Sequence, residues 1–228
     1  MLSEQDKIMP YSVDIHTHAF SPKIVERVLA RLSAAYDVQP AGSGLLDDLK
    51  QQLDQAGIEK AVVQCAATRP GQVMPANNWA IEVQQDPRLY AFGTLHPDYP
   101  DWESELERLQ TYGITGIKLH ADFQGFDLDD PRLHPIFKAL EHRFTVMLHV
   151  GADTPPDQSP SSPQKVARIK RNFPGLSLIT AHFGGYRHWS CVAEQYKNMD
   201  IYIDTSSSLD FICQEDLEVI FDTIPTDH

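Results

Sequence analysis

Two histidines, His16 and His18, stand two residues apart in the short apolar-alternating segment at residues 12–20. Side chains of an extended strand alternate between its faces, so both rings are expected on one face, about 6.5–7 Å apart along the chain. That spacing suits two imidazoles that bind one metal ion. The pair alone fits two packing or surface histidines as well, so the rest of the chain has to decide.

Six of the ten histidines fall at the ends of predicted strands: His16, His18, His96, His120, His149 and His182. The carboxyl ends of the strands of a parallel barrel converge on one mouth, so residues distant in sequence become neighbours there. Several neutral imidazoles that meet near carboxylates make a site for zinc or a similar first-row divalent ion.

The elements that would position these histidines alternate regularly between strand and helix. The continuous apolar run at 60–67 is typical of a strand buried on both faces, and Leu133, Ile136, Phe137 and Leu140 have the spacing of one buried helix face. We count seven such strands, which predicts a parallel sheet with right-handed crossovers in one domain over residues 1–228. A closed (β/α)8 barrel and an open doubly wound sheet both satisfy this pattern, and the strand-end histidines favour the barrel.

Two segments are predicted to be loops of unusual length. Residues 121–129 exceed the usual strand-to-helix connection. The Pro/Ser-rich stretch at 154–163 is predicted to be mobile and to act as a lid over the mouth.

Charged residues near the predicted mouth supply further candidates. Lys118 and His120 share a strand face, and we expect both, together with Arg69, to bind substrate. Lys118 would bind an anion, form a salt bridge or, if carboxylated, bridge two metals. Asp204 would either hold a histidine by a hydrogen bond from behind the metal or cap the next segment.

Composition excludes several classes of partner. The net charge of −13 argues against nucleic acid and anionic membrane, both of which are polyanions. No run of about 20 apolar residues and no signal-peptide core occurs, and the three cysteines show no C-x-x-C spacing. We therefore expect a cytoplasmic protein that acts on a small molecule, with homo-oligomerisation left open.

Four short segments together resemble one known family. Residues 13–18 (VDIHTH), 116–120 (GIKLH), 148–151 (LHVG) and 181–185 (AHFGG) are similar to the amidohydrolase superfamily, and most to its amidohydrolase-2 branch of metal-dependent TIM barrels. That branch includes hydrolases and non-oxidative decarboxylases. The resemblance runs from about Val13 to the end of the chain.

The resemblance implies a mononuclear metal site and a reaction. His16, His18 and His149 would ligate the ion, Zn2+ first and Mn2+ as the alternative, and His182 would be the catalytic residue beside the activated water. The implied function is metal-dependent hydrolysis of a small, anionic molecule. The same site can instead cleave carbon–carbon bonds, so a decarboxylase remains an alternative.

The chain departs from the family at its carboxyl end. The family's fourth ligand is an aspartate that ends the eighth strand, and the sequence reaches Asp227 and His228 where that strand would begin. The expected fold is therefore a (β/α)8 barrel that lacks its eighth strand and is incomplete at the C-terminus. A PHP-type phosphoesterase and a truncated barrel that binds metal without turnover remain the other interpretations.

Overall fold

The computed structural model describes residues 12–36 and 39–225. Its strands lie side by side in chain order, and every neighbouring pair is parallel. The seven strands are β1 (Val13–Thr17), β2 (Lys60–Val63), β3 (Leu89–Thr94), β4 (Gly116–Leu119), β5 (Thr145–Leu148), β6 (Ser177–Thr180) and β7 (Tyr202–Ile203).

Helices connect the strands. In the described residues they are α1 (Val25–Tyr36), α2 (Leu46–Ala56), α3 (Val73–Val83), α4 (Trp102–Thr111), α5 (Ala121–Gln124), α6 (His134–Leu140), α7 (Pro163–Asn172), α8 (Trp189–Tyr196) and α9 (Gln214–Thr223). Short 3-10 turns at Pro70–Gln72 and Pro131–Leu133 precede α3 and α6. None of the described helices has the length and apolarity needed to cross a bilayer.

The central strands are buried on both faces, as their apolar sequences predict. All four residues of β4 are buried, and α6 covers the sheet with Ile136, Phe137 and Leu140, which are fully buried. Each such side chain contributes about 1.5–3 kcal/mol through its removal from water. The sheet and the helices packed on it therefore form the hydrophobic core, and the loops extend from the carboxyl ends of the strands.

The strand order decides between the two predicted architectures. A doubly wound sheet reverses its strand order at a switch point, whereas here the order runs from β1 to β7 without reversal. The prediction of a TIM barrel that lacks one strand is confirmed. β1 and β7 are the outer strands, paired on one side only within the described residues.

Several strands end earlier than the sequence predicts. β5 ends at Leu148 and β6 at Thr180, so His149 and His182 follow their strands instead of belonging to them. Residues 121–129 also differ from prediction, since α5 forms at their start.

The prediction of a mobile lid at 154–163 is wrong for the second half of that segment. Ser159, Ser161 and Ser162 are fully buried, the Ser161 hydroxyl donates to Asp122 Oδ2 at 2.6 Å, and Leu128 N donates to Pro160 O at 2.9 Å. Polar composition suggested exposure, but hydrogen bonds satisfy these groups inside the protein.

The predictions for the polar N-terminal segment and for Asp227 and His228 lie outside the described residues.

Candidate metal centre

Five imidazoles form a continuous array at the carboxyl ends of β1, β4, β5 and β6, with His16 inside β1 and the other four just after their strands. The ring centroids of His18 and His16 lie 5.2 Å apart, and those of His16 and His182 lie 5.2 Å apart. The array continues from His182 to His149 at 4.8 Å and from His149 to His120 at 3.7 Å. The fold thus brings together five of the six strand-end histidines.

A carboxylate fixes the orientation and tautomer of His16. Its Nδ1 lies 2.6 Å from Asp204 Oδ2. Because a carboxylate only accepts hydrogen bonds, the proton lies on Nδ1 and the lone pair on Nε2. Asp204 is itself held, since its Oδ1 accepts from the backbone N–H of His182 at 2.9 Å and from Ser206 Oγ at 2.6 Å.

Backbone carbonyls select the same tautomer in two other rings. His18 Nδ1 lies 3.1 Å from the carbonyl oxygen of Gln64, and His182 Nδ1 lies 3.0 Å from that of Ser206. A carbonyl oxygen accepts only, so each ring donates from Nδ1 and keeps an Nε2 lone pair. Metal-binding imidazoles have this arrangement, in which the nitrogen away from the ion donates to oxygen.

The backbone around His182 is strained. His182 has φ +64° and Phe183 has φ +51°, a region that L-residues with large side chains rarely adopt. Each such residue costs about 1–3 kcal/mol, which the surroundings must offset. The amides of both residues donate to Asp204, to Oδ1 and to the backbone carbonyl respectively, so β7 holds this turn in place.

His149 differs from the other rings because the nitrogen that it turns toward its neighbour is Nδ1 and not Nε2. Its Nδ1 lies 3.1 Å from His182 Nε2. Two nitrogens bound to one tetrahedral zinc ion at about 2.1 Å are roughly 3.4 Å apart, so this spacing fits a shared ion as well as a hydrogen bond between the rings. The donor set therefore fits a first-row divalent ion.

The described residues contain two groups whose ligand atoms all lie within 4.8 Å of one another: His16, His182 and Asp204, and His120, Asp122 and His149. The ligand set inferred from the sequence, His16, His18 and His149, is not one of these two groups and stays a prediction. In the structure His16 contacts His18 directly, and His182 lies between His16 and His149.

A buried lysine lies among these rings. Lys118 is 2% exposed, and its Nζ has no hydrogen-bond partner in the described part of the chain. Burial lowers the pKa of Lys118 to about 8, and the attraction of Asp204 offsets this only in part. An amine with this pKa is mostly protonated at pH 7, so a buried positive charge lies here without a direct partner.

Burial and positive neighbours keep the histidines neutral. Burial, followed by the charge of Lys118, lowers the pKa of His16 although Asp204 opposes the shift. Burial lowers the pKa of His182 to about 4, with a further contribution from His16. Burial and His120 lower the pKa of His149 well below its ordinary value. The neutral imidazole is the form that binds metal, so the site needs no deprotonation near pH 7.

The remaining candidates differ in position. Arg69 is exposed in the turn before α3, apart from the array. His96 is buried and both its nitrogens serve the fold, Nε2 at 3.1 Å from Gln124 O and Nδ1 as the acceptor from Asp98 N at 3.2 Å. His96 therefore supports the rim of the barrel and does not face the array.

A cavity of about 410 Å³ lies between β1 and helices α1 and α2. Apolar side chains such as Leu29, Leu49 and Leu53 line most of it, and His18 is the only member of the array that reaches it. The cavity therefore lies beside the histidine array and not among its rings.

The family follows from a comparison over nearly the whole chain. A family model with the description amidohydrolase, of the amidohydrolase-2 type, matches residues 13–227. The chain belongs to the amidohydrolase-2 family. The resemblance inferred from the four sequence segments is thereby confirmed. Membership supports an enzyme of the hydrolase or decarboxylase type.

Solved structures agree with this assignment at the level of fold. An uncharacterized TIM-barrel protein from Bordetella bronchiseptica is 16% identical, with a TM-score of 0.68 over 86% of this chain and 75% of that one. A probable 2-pyrone-4,6-dicarboxylic acid hydrolase from Acinetobacter baumannii, with citric acid bound, is 16% identical with a TM-score of 0.59 over 92% and 75%. Amidohydrolase 2 from Bifidobacterium longum subsp. infantis is 16% identical with a TM-score of 0.55 over 93% and 79%. No curated protein matches the chain.

Sequence reasoning missed three residues that hold the array. Ser206 contacts both His16 and His182, Gln64 accepts from His18, and Tyr36 contacts His120. A signal existed only for Ser206, because an Asp two residues before a Ser predicts the turn in which Asp204 Oδ1 accepts from Ser206 N at 3.0 Å. Gln64 and Tyr36 act through contacts that no local pattern reveals.

Proposed function

We propose that this amidohydrolase is a metal-dependent hydrolase that acts on a small anionic molecule through a metal-activated water. The observation that carries the proposal is the common tautomer of His16, His18 and His182, whose Nδ1 atoms all face oxygen acceptors. When bound, a divalent ion supplies Lewis acidity and lowers the pKa of water from about 15.7 toward about 7. Zn2+ is the first choice and Mn2+ the second.

His16 in β1 and His18 directly after it would hold the ion, together with His149. His16 and His18 present Nε2, and His149 presents Nδ1, the atom that faces His182 Nε2. Asp204 orients His16 and stays ionised, because the hydrogen bonds it accepts lower its pKa although burial opposes this. The carboxylate thereby raises the basicity of the ligand it holds.

His182 would move the proton. Its Nδ1 is tied to Ser206, which leaves Nε2 as the atom that accepts or donates. Burial lowers the pKa of His182 to about 4, so Nε2 is unprotonated at neutral pH and its lone pair is free to take part in the proton transfer. The rigid backbone at His182 and Phe183 fixes where that nitrogen lies.

Lys118 would bind the anionic group of the substrate. A buried ammonium without a partner is costly, and a substrate carboxylate would supply the missing charge and hydrogen bonds. Asp204 is the carboxylate that acts on the Lys118 amine, and it is already engaged with His16 and Ser206. His120 and Arg69 were also predicted to bind substrate. Both ring nitrogens of His120 already have partners, and Arg69 is exposed in the turn before α3.

The proposal is tested by metal analysis combined with a substrate screen. We expect about one Zn2+ per chain and hydrolysis of carboxylate-bearing lactones, esters or amides that stops on chelation. Lys118→Met should raise KM for carboxylate substrates more than for neutral analogues, and Arg168→Met, an exposed cation paired with Asp129, is the control. Carbon dioxide release without hydrolysis would instead identify a decarboxylase, and absence of bound metal would refute the proposal.

A further inference from the structure

His120 occupies an unusual place in the array, because its ring is sandwiched between two others. Its centroid lies 3.7 Å from that of His149, with an interplanar angle of 9°, and 4.2 Å from that of Phe123, at 13°. Both His120 and His149 are 8% exposed. The three rings therefore form one stack, in which the two histidines are buried and Phe123 is half-buried, with His149 at the end nearest His182.

Both nitrogens of His120 are engaged away from the centre of the site. Nε2 lies 3.1 Å from the hydroxyl of Tyr36, and Nδ1 accepts from the backbone N–H of Phe123 at 3.4 Å. Its own backbone N–H donates to Gln124 Oε1 at 2.8 Å. Neither nitrogen is left to bind a substrate, although substrate binding was the role that the sequence predicted for His120.

The stack also rules out His120 as a partner of His149 on one ion. The lone pairs of an imidazole lie in the plane of its ring. Two rings nearly parallel and 3.7 Å apart cannot both point a lone pair at the same ion. The group of His120, Asp122 and His149 is therefore close in space without forming a chelate.

The residues around the stack are themselves fixed. Gln124 Nε2 donates to the carbonyls of Ala67 and Leu95, at 2.9 and 2.7 Å, which ties this turn to the ends of β2 and β3. Tyr36 ends α1, and its ring centroid lies 5.5 Å from that of Phe123. The stack thus joins α1 to the loop after β4 and to His149 after β5.

We propose that His120 is a positioning residue that holds the imidazole of His149 by face-to-face contact, with Phe123 and Tyr36 fixing His120 in turn. The consequence for metal binding rests on the proposed function, in which His149 is a ligand. The stacking itself does not depend on it. A ligand ring that could rotate freely would lose orientation, and such supporting contacts change metal affinity by about 10–100-fold.

Two substitutions separate this role from the alternatives. His120→Phe keeps a flat ring in the stack and removes both ring nitrogens, whereas His120→Ala removes the ring. We expect His120→Ala to weaken Zn2+ binding about 10–100-fold, and His120→Phe to weaken it by no more than about threefold, measured by competition with a chelator. Tyr112→Phe, at an exposed tyrosine that ends α4, is the control and should leave affinity unchanged.

A second measurement uses the metal-free protein. The face of His120 shifts the ring-proton resonances of His149 upfield, so these should move downfield in His120→Ala and stay upfield in His120→Phe. Equal loss of Zn2+ affinity in both variants would overturn the inference by making His120 a ligand. A rise in KM in both, with unchanged affinity, would overturn it in favour of substrate binding.

The two proposals fail in different ways. A wild-type protein that binds no Zn2+ refutes the proposed function, and the metal-free spectra then decide the stacking alone. His149 resonances that do not respond to His120→Ala refute the inference whether or not the protein binds metal.

Discussion

His16 and Asp204 join the two outer strands of the sheet. β1 and β7 are not neighbours in the strand order, yet Nδ1 of His16, in β1, and Oδ2 of Asp204, directly after β7, lie 2.6 Å apart. The side chains of both residues are almost fully buried, at 8% and 3% exposure. The same contact that orients a predicted ligand therefore also links the open ends of the barrel at its carboxyl rim.

Asp204→Asn tests this link. The N–H groups of His182 and Ser206 donate to Oδ1 and would keep the amide oxygen there, so the NH2 group would replace Oδ2 and His16 would lose the acceptor that fixes its tautomer. We expect Zn2+ affinity to fall about 10–100-fold in a chelator competition assay. Asp210→Asn, at an exposed site on the same loop, should leave affinity unchanged. Equal affinities for wild type and Asp204→Asn would show that the carboxylate does not orient a ligand.

Lys118→Met tests the buried charge through pH. Because burial lowers the folded pKa from 10.5 to about 8, the unfolded chain carries more protons between these values, and the wild-type free energy of unfolding rises with pH there. Lys118→Met has no amine at this position, so its free energy of unfolding lacks this rise with pH. In metal-free protein we expect the advantage of Lys118→Met over wild type to shrink by about 3 kcal/mol from pH 7 to pH 10.5, measured by urea unfolding. A difference that is constant with pH contradicts the buried charge.

Gly151→Ala tests the close approach of two loops. Gly151 has φ +94°, and a Cβ there would lie 2.2 Å from the backbone N and O of Tyr186. We expect a loss of more than about 1 kcal/mol in the free energy of unfolding, together with weaker Zn2+ binding because His149 is two residues away. Gly71→Ala is the control, since no atom lies within 4 Å of its Cβ position. Equal stability of the two variants would mean that the loops are not packed this closely.

Ser161→Ala tests whether the segment at 154–163 is packed. Removing the hydroxyl leaves Asp122 Oδ2 without its 2.6 Å hydrogen bond inside the protein. We expect a loss of about 1–3 kcal/mol in the free energy of unfolding. Ser104→Ala, at an exposed position of α4, should change it by less than about 0.5 kcal/mol. If the segment were a mobile lid, Ser161→Ala would change the free energy of unfolding no more than Ser104→Ala does.

The sequence predicted the seven strands and the helices between them, because apolar strands that alternate with helices are buried in a parallel sheet. It also located His16, His18, His149, His182 and Lys118, since the carboxyl ends of parallel strands meet at one rim. It could not predict the setting of His120, which stacks on His149 and whose Nε2 contacts Tyr36, 84 residues away in the chain. Nor could composition show that the serines at 159–162 are buried, because the Ser161 hydroxyl donates to Asp122 and Gly151, which lie outside this segment.

The most direct test of the metal centre is a long-range 1H–15N spectrum of the imidazoles, recorded without metal and with one equivalent of Zn2+. We predict that His16, His18 and His182 carry their proton on Nδ1 in the metal-free protein. On addition of Zn2+, the Nε2 resonances of His16 and His18 and the Nδ1 resonance of His149 should shift together and saturate at one ion per chain. Protons on Nε2 of His16 and His18, or ring resonances that do not shift on addition of Zn2+, would contradict the proposed metal site.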